Sequence, residues 1–123
     1  MKKIFTMNLA DDKAAVVKDI CKALGAEYAV LDSGCGPLRV ADIIDGVSDL
    51  KSGDGDRKLS MEMAVFAGIT SRELDIFLDR YRKSGAAPIA LKSVVTETNR
   101  EWTVEKLYSE LAREYLFYKM RGK

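Results

Sequence analysis

Residues 5–31 can be laid over residues 65–91 without a gap, and strand pattern then meets strand pattern, helix meets helix and strand meets strand. "KIFTMNL" has the character of a short strand, and "DDKAAVVKDICKALGA" switches to a helical period with Ala14, Val17, Cys21 and Leu24 on one stripe. "EYAVLD" returns to strand character. In the second copy "MEMAVFAG" is apolar nearly throughout, "ITSRELDIFLDRYRKSG" carries Leu74, Phe77, Leu78 and Tyr81 on one stripe, and "APIALKSVV" closes as a strand. Only four pairs are identical: Asp19 with Asp79, Gly25 with Gly85, Ala26 with Ala86, and Leu31 with Leu91. The hydrophobic pattern therefore carries the comparison. It predicts two β-α-β halves, each a right-handed crossover, because a right-twisted strand feeding a right-handed helix packs back onto the sheet only that way.

Local signals agree with this division. Asp11 and Asp12 suit the positive start of the first helix and Gly25 its stop. Thr70 followed by Glu73 is a capping-box pattern, and Gly85 ends that helix. Between the halves come the turn-rich "SGCGP", a short helix in "LRVADIIDGV", and "SDLKSGDGDRK", whose glycines and mixed charge predict a mobile loop over about 49–58. A last helix starts near Thr103, with Val104, Leu107, Tyr108, Leu111 and Tyr115 on one face.

Two folds accept such halves. If the 32–60 connection carries the chain back across the sheet, the result is a four-stranded, mainly parallel α/β sheet flanked by helices, with the C-terminal helix added. If it merely turns, the halves interlock into a ferredoxin-like α+β sandwich. The length of the connection and the apolar character of "MEMAVFAG", which implies burial on both faces, favour the parallel form. A chain of 123 residues suits one domain, 1–123.

Composition narrows the chemistry. The chain has no histidine, which removes Ser-His and Cys-His nucleophile pairs, histidine acid–base work and nearly all mixed zinc sites. No cofactor motif is present: "SGCGP" lacks the G-x-G-x-x-G spacing, and no G-x-x-x-x-G-K-[ST] occurs. Cys21 reads as a small core residue. Cys35 has no base or lysine beside it to activate it as a nucleophile, and "DGD" at 54–56 lacks the spacing and closing Glu of a calcium loop. With 20 basic and 19 acidic residues the chain has no global pull on nucleic acid. No apolar run approaches the roughly 18 to 20 residues of a membrane span, and the start lacks a signal-peptide pattern, so the cytoplasm is the expected compartment.

What remains is "VVTETNREWT", residues 94–103, where the fourth strand gives way to the last helix. Thr96, Thr98 and Asn99 fit a turn, since Asn and Thr side chains there bond nearby backbone, with Thr103 capping the helix that follows. The turn is the favoured reading; the alternative is an anion or phosphate site, because in a parallel sheet this loop would lie at the carboxyl ends of the strands beside "MNLADD" and "FAGITS". Trp102 is either a plug under the helix or a lid over a pocket, and Lys92 either offers a charge to a ligand or covers a solvated strand face.

The same region carries a family likeness. "VFAGITSRELDIFLDRYRKSG" followed by "LKSVVTETNREWTVEKLYSEL" resembles a bacterial family known as domain of unknown function 3783, over about residues 62–115. The matching positions are Gly68, Lys83, Gly85, Leu91, Lys92, Thr96, Thr98, Asn99 and Trp102, of which the threonine-asparagine-tryptophan string is the most specific. That family often has prolines where this chain has Ala90 and Glu97. The resemblance implies no activity.

The tail "REYLFYKMRGK" sets Tyr115, Leu116, Phe117, Tyr118 and Met120 around most of a helix, more apolar surface than one core face requires. The sequence reading is thus a non-enzymatic cytoplasmic binding or regulatory module, self-associating through its last helix. The alternative is a small-ligand or enzymatic site built from Lys92, Thr96, Thr98, Asn99 and Trp102.

Overall fold

The computed structural model describes residues 2–31, 36–45 and 59–121. Cys35, "DGD" and the loop expected over about 49–58 lie outside the described residues. The elements run β1 (Lys3–Met7), α1 (Asp11–Leu24), β2 (Glu27–Leu31), α2 (Val40–Ile44), β3 (Met63–Ala67), α3 (Ser71–Lys83), β4 (Leu91–Val94) and α4 (Val104–Arg121), with a 3-10 turn at Asn99–Glu101 before the last helix.

Both β-α-β halves are present. β1 pairs parallel with β2, β3 pairs parallel with β4, and the sheet order is β2-β1-β3-β4. The junction overturns the expectation of a mainly parallel sheet: β1 meets β3 antiparallel, with Phe5 opposite Val65 and Met7 opposite Met63, so the sheet is mixed. The ferredoxin-like alternative fails too, because the halves lie side by side and do not interlock. Every residue of β1 and β3 is buried. Burial on both faces reports helices above and below a strand, and it is silent on strand direction; this is why "MEMAVFAG" pointed the wrong way.

Strand alternation separates the two faces. Ile4, Ala64 and Phe66 face α1 and α3, packing on Val17, Ile20, Cys21, Phe77 and Tyr81. Phe5, Met7, Met63 and Val65 face α2 and α4, packing on Val40, Ile43, Val104, Leu107 and Tyr108. The Tyr108 hydroxyl accepts from Ser60 N and Met61 N at 3.1 and 2.8 Å, pinning α4 to the entry of β3. Lys3, buried on the α2 side, donates its ammonium to the Ile43 carbonyl at 2.8 Å, where the end of α2 favours positive charge.

The repeat holds in backbone detail for most of its length. Asn8 (φ 63°) and Gly68 (φ 68°) end the two strands in the left-handed region, and Gly25 (φ 71°) and Gly85 (φ 82°) end the two helices there. These are positions where a residue other than Gly or Asn is strained. The Thr70–Glu73 capping box forms, with Glu73 N to Thr70 Oγ1 at 3.1 Å and Thr70 N to Glu73 Oε1 at 3.0 Å. Beyond Gly85 the ungapped overlay breaks. Lys3 pairs with Glu27, whereas Met63 pairs with Leu91, so "APIA" is extra chain and Leu31 and Leu91 are not equivalent. Leu78, expected in the α3 stripe, is exposed.

Candidate functional site

The segment between β4 and α4 is built by local bonds among its own residues. Thr96 N donates to Asn99 Oδ1 at 2.8 Å, and Asn99 N donates to Thr96 Oγ1 at 3.1 Å, a reciprocal pair of the capping-box kind. Asn99 Nδ2 donates to the Val94 carbonyl at 3.1 Å. The asparagine is only 8% exposed, and both ends of its carboxamide are bound to backbone. Arg100 N reaches the Thr96 carbonyl at 3.0 Å and Trp102 N the Asn99 carbonyl at 3.0 Å, completing the 3-10 turn. Thr103 then caps α4, its hydroxyl accepting from Lys106 N at 3.2 Å.

The other sequence-selected residues are placed around this turn. Trp102 is partly buried, packs against the α4-side core and carries the Lys106 ammonium 5.1 Å from its ring centre. Thr98 is exposed and makes no side-chain cap. Lys92 lies on β4, facing the α3 side, with its ammonium on the Ile89 carbonyl at 2.9 Å. The structure therefore brings Thr96, Asn99 and Trp102 into one unit and leaves Thr98 and Lys92 outside it.

A second strut escaped the sequence reading. Val40 N donates to Trp102 O at 2.9 Å, Val104 N to Leu38 O at 2.8 Å and Glu105 N to Gly36 O at 3.0 Å, and Arg39 meets Glu101 at 3.0 Å. The entry to α2 is thereby stitched along the joint. At Gly36 a Cβ would come within 3.1 Å of Glu105 Oε2, so glycine permits the close approach. Pairing between two loops leaves no periodic trace in sequence, and nothing in "GPLRV" identifies its partner.

The antiparallel junction relocates the joint. Val95 N donates to Phe66 O at 2.9 Å, so the loop adjoins "FAGITS", but Met7 lies opposite Met63 at the other end of the sheet. "MNLADD" is therefore remote from the joint, and the shared carboxyl-end crevice expected of a parallel sheet does not form. Among the described residues no group of three or more Cys, Asp or Glu side chains is placed to hold a metal ion. No helix of the described residues is long and apolar enough to cross a membrane.

Electrostatics add little that resembles a reacting centre. Burial pushes the Cys21 thiol up to about 11, keeping it protonated and inert at neutral pH. Lys13 is raised above its usual range, chiefly by its hydrogen bonds to Glu62 at 2.6 and 2.8 Å. Glu73 is lowered, first by its bond from Lys2 and then by the Thr70 backbone. These are ion-pair and capping effects.

Fold and joint together define a small α/β domain of two tandem β-α-β halves, closed by a helix that enters through a Thr-x-x-Asn turn. Residues 62–118 match the family described as Domain of unknown function (DUF3783), as the threonine-asparagine-tryptophan string indicated. The matched segment runs from β3 through the joint into α4 and assigns no activity. Comparison with curated proteins and with solved structures returns no match.

Proposed function

We propose that the protein is a small, non-enzymatic binding or regulatory module of the cytoplasm that self-associates through the end of α4. The observation carrying this reading is the surface of that helix. The core stripe of Val104, Leu107, Tyr108, Leu111 and Tyr115 is followed at once by Leu116 and Tyr118, which are 54% and 76% exposed, with the half-exposed Phe117 between them. Three consecutive apolar side chains span too wide an arc to serve one core face. Exposed contiguous apolar surface of this kind marks interaction sites. Light scattering on the eluting full-length chain tests the reading: a dimer or larger species is expected, and Leu116→Glu with Tyr118→Glu converts it to monomer. A wild-type monomer at every concentration rejects it.

The competing reading places an anion or phosphate among Lys92, Thr96, Thr98, Asn99 and Trp102. It has less support, because Thr96, Asn99 and Lys92 already spend their polar atoms on backbone partners. A thermal-shift screen of inorganic phosphate, nucleotides and sugar phosphates separates the two readings. Ligand stabilisation that disappears in Thr98→Ala, a variant that disturbs no bond of the turn, would favour the site.

A further inference from the structure

The two edges of the sheet are finished differently. On β4, Leu91 and Val95 donate inward to Glu62 O and Phe66 O, so alternation turns the backbone groups of Lys92 and Val94 outward. Asn99 takes the outward Val94 carbonyl, and Lys92 sets a charge on the edge, a device that discourages further strand pairing. On β2, Glu27 N donates to Lys2 O at 2.9 Å, which turns the N–H and C=O groups of Tyr28 and Val30 outward. Among the described residues no strand pairs with that edge. β2 carries neither proline nor lysine, and Val30 is 64% exposed.

Beside this edge lies a groove of about 540 Å³ between α1 and β2, walled by Ala14, Ala15, Ala26, Tyr28 and Val30. Among the described residues that line it only Lys18 and Lys22 are charged; both are exposed, and among the described residues neither is in an ion pair. An edge whose outward backbone groups pair with no strand among the described residues, beside an apolar groove, suits strand addition, in which main-chain bonds give affinity and alternate side chains give specificity. The charge selects the occupant. A second copy paired edge to edge about a two-fold axis would set Lys18 and Lys22 against their own counterparts, whereas carboxylates on the incoming strand would neutralise them.

We infer that the outer edge of β2 binds an extended acidic segment of a partner protein as a fifth strand, with an apolar side chain over Val30 and carboxylates at Lys18 and Lys22. This surface lies on the face opposite α4, so it stands or falls separately from self-association.

The test is NMR titration of the ¹⁵N-labelled full-length chain with a capped peptide Glu-Thr-Val-Thr-Glu, and with its Lys-Thr-Val-Thr-Lys counterpart. The acidic peptide is expected to give saturable shifts and slowed amide exchange at Tyr28 and Val30, and the basic peptide to bind at least roughly tenfold more weakly. Val30→Pro removes one outward N–H and no bond to β1, and should abolish the shifts. The Lys18→Glu, Lys22→Glu pair, altering only exposed side chains, should reverse the peptide preference and decides the matter if Val30→Pro does not fold. Absent or non-saturable binding, shifts centred elsewhere, equal affinity for both peptides, or an unaltered preference in the charge-reversed pair would overturn the inference.

Discussion

The first and second β-α-β halves share a backbone plan and fill it with different side chains. At positions equivalent in the overlay, Thr6, Val17 and Cys21 in the first half stand where Phe66, Phe77 and Tyr81 stand in the second. The aromatic set packs as a unit, with Phe66 and Phe77 edge-to-face at 4.9 Å and Phe77 stacked near Tyr81 at 6.2 Å. In the first half the missing bulk is made up from β2: Tyr28 leans in and its hydroxyl meets Thr6 Oγ1 at 2.8 Å. The groove beside Cys21 is what remains unfilled. A duplicated plan thus gives one half a tight aromatic core and the other a smaller core with an accessible flank.

Truncation at equivalent positions should separate the two cores most strongly. Phe77→Ala is expected to cost about 3–5 kcal/mol, since the cavity lies under two other rings and cannot collapse. Val17→Ala should cost roughly 1–3 kcal/mol. Urea denaturation of both variants measures the difference, and equal losses would show that the two cores are equally tight.

The halves also differ in how they end. The second has four more residues before its closing strand pairs, and its outer edge is finished by the Asn99 joint; among the described residues β2 has no such cap. Asn99→Ala should lower stability by about 1–3 kcal/mol, because it leaves Thr96 N and the Val94 carbonyl without their partner in a partly buried turn. Thr98→Ala, altering an exposed side chain, should stay within about 0.5 kcal/mol of wild type. A neutral Asn99→Ala would remove the joint as a structural element.

The equivalent residues Cys21 and Tyr81 supply the smallest contrast. Burial raises both, the thiol from 9.0 to about 11. A group that holds its proton more tightly folded than unfolded contributes stability that is intact below its unfolded pKa and lost as pH rises through its folded pKa. Stability should therefore fall between about pH 9 and 11, and Cys21→Ala should flatten that fall by roughly 1–2 kcal/mol relative to its own neutral-pH value. Lys13, raised from 10.5 chiefly by its hydrogen bond to Glu62, has the same sign: its contribution is intact below about pH 10.5 and is lost as the pH rises through its folded pKa. An unchanged slope in Cys21→Ala would mean that the thiol is not sealed.

The halves were legible in the sequence because the strand and helix periods, the Thr70–Glu73 cap and the two terminal glycines are all local signals. The sense of the β1–β3 junction was not, since it depends on where the 32–60 connection travels, and two-sided burial looks the same for either direction. The ungapped overlay misled at Leu91 because "GAAPIALK" offers apolar residues at either register. Within the site, the Thr96–Asn99 turn and the Thr103 cap were readable from residue type. The stitch from Leu38 and Gly36 to the joint was not, as no composition signal marks a loop that pairs with a loop.

The antiparallel contact between β1 and β3 sets which end of the sheet holds the joint and where β2 lies relative to it. Cross-strand nuclear Overhauser effects test it directly. β1 turns Ile4 and Thr6 towards β2 and β3 turns Ala64 and Phe66 towards β4, so Ile4–Phe66 and Thr6–Ala64 are non-hydrogen-bonded antiparallel pairs with close α-protons. Strong Hα–Hα effects are expected at both pairs. Their absence, with β1 instead showing the sequential slanted contacts of a parallel neighbour on each side, would contradict the account.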